Sequence, residues 1–373
     1  MAHRHLSGVS PKLAGMLRWP YTFAVVLSLS VGATAIYYSQ TLGIALKDPE
    51  GFLGPAYIRL PMIALIIFAA GIVPQSLHRY GMKGFVPGMG TILRDEWNLR
   101  RVGHVATGMV AFYICYVSYR NLKSYLPELR KDESGFQTLY DTDMLRLDHW
   151  LFFGNNPAEV LHGMLGTTVM AQVLAVLYVL YLPIVPITVG AVLVLVRDYT
   201  VGAWYATAVS LNWVLGTISY YLIPTLGPAF FQPQSYAELP DNGASALQQS
   251  LFRAAVRFRD DPQGGGIYGI AGFASLHVSV VFTAALFLHY SGAAKWIRTT
   301  AWVYVGFTLL ATLYLGWHYV ADDIGGLLIG WMAVAIGAVV TGNARWQKRR
   351  RMDPGTPQEM AESPPTMANP PAI

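Results

Sequence analysis

The chain has 373 residues, of which 54% are hydrophobic and only 13% charged, whereas a soluble domain is nearer a quarter charged. That balance excludes an ordinary soluble globular protein and points to the membrane. The net charge of +5 is divided among short loops, which reads as membrane topology and excludes a nucleic-acid surface, and one cysteine, Cys115, excludes an intramolecular disulfide.

A helix needs about 20 mostly apolar residues to cross roughly 30 Å of hydrocarbon. Segments of that kind lie near 20–45, 56–76, 104–122, 168–196, 200–223, 273–290, 297–315 and 319–341. The first contains Ala33-Thr34-Ala35, a mimic of a cleavage site, but its apolar stretch is too long for a signal-peptide core and is expected to be retained. Pro183 and Pro186 predict a kink in the fourth. With the N-terminus inside, most of the 26 Lys and Arg fall on the inner side. The expected fold is all-α, a polytopic bundle of about eight spans.

Two outer regions are longer than connections require. In 123–167, Asp148 and His149 adjoin Trp150, Phe152 and Phe153, the pattern of an interfacial helix. Region 224–272 opens on Pro224-Thr225-Leu226-Gly227-Pro228 and carries Arg253, Arg257 and Arg259; it is expected to cover a site. After the last span, Arg345–Arg351 should lie on anionic headgroups, and the Pro-, Ser- and Ala-rich stretch from Asp353 is expected to be disordered. The expected division is 1–125 for the first three spans, 126–342 for the core and 343–373 for the tail. No internal repeat is evident, and the spans proper carry almost no charge, which gives a transporter little support.

Two histidines stand at outer helix ends at matching depth. His318 and Asp322 are i and i+4, on one face if the segment is helical there. A carboxylate so placed can hold one ring nitrogen and leave the other as a nucleophile. His277 follows Ser275, a plausible helix N-cap, at a terminus suited to a phosphate. Phosphoryl transfer needs a nucleophile, a proton for the leaving group and cations around the phosphate. Arg253 and Arg257 are candidates for the last role.

Ala274-Ser275-Leu276-His277 and Tyr314-x-x-x-His318-Tyr319-x-x-Asp322-x-x-Gly325-Gly326 resemble the second and third signatures of the type 2 phosphatidic acid phosphatase superfamily. The likeness is nearer its inositol phosphorylceramide synthase-like branch, where Ser-Leu-His replaces Ser-Gly-His. Asn212-Trp213, Pro224 through Pro228, and Asp148 through Pro157 also look like that branch.

The resemblance implies a six-helix core, His318 as a nucleophile forming phosphohistidine, His277 as the acid for the leaving group and Asp322 as its orienter. It implies no metal and no cofactor. By position, Ser275, Tyr314, Asn212, Asp148 and His149, with Arg253 and Arg257, would contact substrate. The Ser-Arg pair of the phosphatases is replaced by Ala311-Thr312, and no Lys-x6-Arg-Pro motif occurs, which favours a transferase. The expected partners are a membrane lipid donor and a polyol acceptor, with the site on the extracytoplasmic face of a bacterial-type plasma membrane. The rivals are a polyprenyl or phosphatidic phosphate phosphatase and a non-enzymatic lipid transporter or scaffold.

Overall fold

The computed structural model describes residues 19–344 apart from 52–53, 134–136 and 265. The basic run and the tail from Asp353 lie outside the described residues. The chain is all-α, with thirteen α-helices among the described residues. They run α1 (Thr22–Leu42), α2 (Ala56–Tyr80), α3 (Phe85–Glu96), α4 (Leu99–Leu129), α5 (Asp141–Leu151), α6 (Pro157–Leu165), α7 (Val169–Leu195), α8 (Tyr199–Leu222), α9 (Pro228–Phe231), α10 (Gly243–Asp260), α11 (Leu276–Ser291), α12 (Lys295–Tyr314) and α13 (Val320–Val340). A two-residue antiparallel pair, Glu50–Gly51 with Gly54–Pro55, precedes α2.

Each of the eight segments expected to span is a helix. Five (α1, α2, α4, α7 and α13) are long and apolar enough to cross a membrane, and the protein is an integral membrane protein. The helix α11 is apolar but shorter. The helix α8 is buried along most of its length and packs against α4, α7, α11 and α13. Pro183 and Pro186 are accommodated within one continuous helix, α7.

Small residues and polar bonds bring the central helices close, as expected where the hydrophobic effect does not drive helix pairing. A Cβ on Gly326 of α13 would strike the carbonyl oxygen of Ser275, and one on Gly330 would lie 2.7 Å from that of Ser279. Asn212 of α8 donates to Ala208 O at 2.8 Å and to Thr283 Oγ1 at 2.9 Å, and Ser279 donates to its Oδ1. Asn212 is therefore a fully buried knot between α8 and α11.

Candidate active site

The helix α13 begins at Val320, with Tyr319 as an extended N-cap. His318 thus stands just outside the helix. Its contact with Asp322 is not a side-by-side helical pair; the carboxylate in the first turn reaches back, as in a capping box. Asp322 Oδ2 accepts the Tyr319 N–H at 3.0 Å and lies 3.2 Å from His318 Nδ1. The other ring nitrogen, Nε2, makes no hydrogen bond among the described residues.

His277 lies in the first turn of α11, whose N-cap is Ser275: its Oγ accepts the Val278 N–H at 3.4 Å. The Ser275 N–H donates to Asp322 O at 2.9 Å, joining the two histidine-bearing helix starts. The His277 and His318 ring centroids are 6.3 Å apart. His277 stacks on Tyr178 at 4.2 Å, and its Nδ1 is 3.3 Å from the Tyr178 hydroxyl. Its Nε2 is buried without a partner among the described residues.

Residues 224–228 bind both histidine loops. Asp141, the first residue of α5, accepts the N–H groups of Leu226 and Gly227 at 2.9 Å and the Tyr319 hydroxyl at 3.1 Å. Thr225 Oγ1 accepts the Phe273 N–H at 2.8 Å. Gly227 has φ +97°, and a Cβ there would lie 2.5 Å from Trp317 O, so only glycine fits. Asp148 accepts the Val320 N–H at 3.1 Å and so caps α13. Burial, with the nearby Asp322, pushes its carboxyl up to about 7, against the lowering bond from Val320. Burial likewise raises Asp141 above the usual carboxylate range.

A cavity of about 290 Å³ meets both histidines. Three cations line it: Arg59 of α2, and Arg120 and Lys123 of α4. Arg59 and Lys123 are buried. Lys123 sits 4.9 Å over the Tyr220 ring, and none of the three has a carboxylate partner among the described residues. Buried charge without a counter-charge is costly, so the arrangement suits an anion next to the two imidazoles.

The structure places the sequence-based cation candidates away from the cavity wall. Arg253 and Arg257 are exposed and do not line the cavity; α10 turns Leu247 and Leu251 toward it instead. On a helix, Arg253 is about 200° round from Leu251. Ser275 and Tyr314 are fully buried. The Tyr314 hydroxyl donates to Gly166 O at 2.5 Å, a structural bond. His149 is half-buried and is not part of the cavity wall. Ala311 and Thr312 are also fully buried; Thr312 donates to Asp323 at 2.7 Å and its carbonyl accepts the Trp317 N–H.

Lys123 was expected in an outer loop, but α4 continues to Leu129 and holds it inside. Its signal was available: Lys123 and Arg130 are separated by six residues, and only the following proline of Lys-x6-Arg-Pro is absent, Lys131 standing there. The cavity therefore draws on residues either side of the 125/126 boundary.

The helix ends of this membrane bundle thus bring two histidines, an aspartate and three cations to one cavity. The family model described as the PAP2 superfamily matches residues 142–336, more than half of the chain, and the chain belongs to that superfamily. Its members are phosphatases or phosphotransferases, which supports a lipid phosphatase or phosphotransferase kind of function. No curated protein and no solved structure matches the chain.

Proposed function

We propose that the chain is a lipid phosphotransferase acting through a phosphohistidine on His318. The observation that carries the proposal is the Asp322–His318 pair near His277 at a cavity lined by three cations without a carboxylate partner among the described residues.

In the first step His318 Nε2 attacks phosphorus while Asp322 holds Nδ1. The P–O bond to the donor breaks, and the leaving oxygen takes a proton from His277. Negative charge on the bound phosphate favours the protonated imidazole required there. In the second step His277 takes a proton from the acceptor hydroxyl, whose oxygen attacks phosphorus and breaks the P–N bond. Arg59, Arg120 and Lys123 would offset charge on the phosphoryl oxygens. The group moved is a phosphoryl or phospho-polyol unit of a membrane lipid.

An alcohol acceptor is favoured by the cavity wall: Trp213, Tyr119 and Tyr220, with Leu247 and Leu251 of α10 over it, restrict water. The absence of a phosphatase clamp no longer argues for transfer, because α2 and α4 supply cations. Ser275-Leu276-His277 supports the inositolphosphotransferase-like branch. The distribution of Lys and Arg supports a site on the extracytoplasmic face.

Purified protein given radiolabelled lipid phosphate, with and without a polyol, tests this. A labelled polyol phosphate is expected; free phosphate alone would show the phosphatase instead. Unchanged turnover by His318→Ala on every active lipid would remove the assigned nucleophile.

A further inference from the structure

At the opposite end of α4 from Lys123 lies a second basic cavity, of about 340 Å³. It is lined by Arg100, Arg101, His104, Arg197 and Tyr199, with Glu96 as the acid. Glu96 is already bonded by Gln75, Arg79 and Arg197, each at 2.9 Å. Arg100 donates to the Tyr199 hydroxyl at 3.2 Å and Arg101 to Val194 O at 2.9 Å. The cluster therefore keeps a cationic surplus.

His104 brings an unsatisfied ring nitrogen to the cavity wall. Its ring stacks on Tyr199 at 4.4 Å. Trp19 Nε1 donates to His104 Nδ1 at 3.4 Å, so Nδ1 is the acceptor and a neutral ring carries its proton on Nε2. That Nε2 is buried and has no partner among the described residues, and His104 is 9% exposed. A buried unsatisfied donor is costly, and here it sits among arginines, where an anionic oxygen would satisfy it.

Val105, the next residue, lines both this cavity and an adjoining apolar groove of about 500 Å³ between α2 and α4. The groove wall includes Leu60, Ala64, Phe68, Ala106 and Met109. A basic polar cavity running into an apolar groove along a membrane-spanning pair has the chemistry of a phospholipid, head and tail. His104 and Lys123 are separated on one helix by roughly 30 Å at ~1.5 Å per residue, about the hydrocarbon thickness.

We propose that this cavity and groove bind an anionic phospholipid of the leaflet opposite the catalytic cavity, with its phosphate against His104, Arg100 and Arg101 and one acyl chain between α2 and α4. This site is distinct from that of the reacting lipid.

Delipidated full-length protein is titrated with dioleoyl phosphatidylglycerol, with dioleoyl phosphatidylcholine and with inorganic phosphate, following retention by native mass spectrometry and melting temperature. Phosphatidylglycerol should be retained roughly tenfold more tightly than phosphatidylcholine and should raise the melting temperature; phosphate alone should not. Arg100→Gln with His104→Phe, which keeps the ring stack, should retain one anionic lipid fewer. Ala106→Trp, which fills the groove, should do the same by a second route, and Lys123→Gln, in the catalytic cavity, should leave this retention intact. Far-ultraviolet circular dichroism verifies that each variant is folded. Equal retention of the two lipids by the wild-type protein, undiminished retention in both groove and headgroup variants, or equal protection by free phosphate would overturn the proposal.

Discussion

His318 and Asp322 meet at 3.2 Å although His318 stands outside the helix that carries Asp322. The contact depends on the first turn of α13, which in turn depends on Asp148 capping Val320 and Asp141 holding Tyr319. The proposed nucleophile is thus aimed by a set of carboxylates on α5 and α13.

Asp322→Asn should therefore cost activity through orientation, not binding. The amide presents a different hydrogen-bonding edge to Nδ1 and disfavours the tautomer with Nε2 unprotonated. A fall in kcat of roughly 10²- to 10⁴-fold with KM little changed is expected, by analogy with orienting carboxylates elsewhere. Steady-state kinetics on a turned-over lipid check it.

Lys123→Met should lower kcat/KM by roughly 10- to 100-fold, because a charge-assisted hydrogen bond contributes about 1.5–3 kcal/mol. Arg253→Ala and Arg257→Ala should change it less than twofold, since both side chains lie outside the cavity. A kinetic comparison of the three variants ranks the clamp.

Asp148 gives a pH signature of stability. Its folded pKa, about 7, lies above the ordinary carboxylate value near 4. The folded state therefore holds the extra proton between those values. The associated stabilisation is complete below about pH 4 and is lost as pH rises through 7. Asp148→Asn, which mimics the neutral acid, should flatten the fall in melting temperature between pH 5 and 8 in detergent.

Gly227→Ala should destabilise by about 1–3 kcal/mol, since the left-handed backbone and the Trp317 carbonyl both oppose a side chain. The melting temperature should fall, and turnover should fall with it because the 316–319 loop is displaced.

Much of the fold was legible because span length and apolarity are one-dimensional signals: all eight expected segments became helices. That His277, His318 and Asp322 come together was legible from spacing and motif. Of the cations, only Lys123 carried a local signal, its Lys-x6-Arg spacing to Arg130. Arg59 and Arg120 reach the cavity through the packing of α2 on α7 and of α4 on α8, and no local pattern encodes which face of a near-uniformly apolar helix turns inward. Arg253 and Arg257 lie outside the cavity for the converse reason: Leu247 and Leu251 take the inward side of α10 by apolar burial. Ser275, Tyr314 and Asn212 stand in the motifs, and in the structure they form caps and buried hydrogen bonds.

The most direct test is to quench the enzyme during turnover of a ³²P-labelled lipid phosphate and locate the label by peptide mass spectrometry under alkaline conditions that preserve phosphohistidine. The phosphohistidine mechanism predicts label on the peptide carrying His318, lost in His318→Ala and retained longer in His277→Ala, where leaving-group and acceptor chemistry are slowed. Turnover with no label on His318 in either the wild-type enzyme or His277→Ala would contradict it.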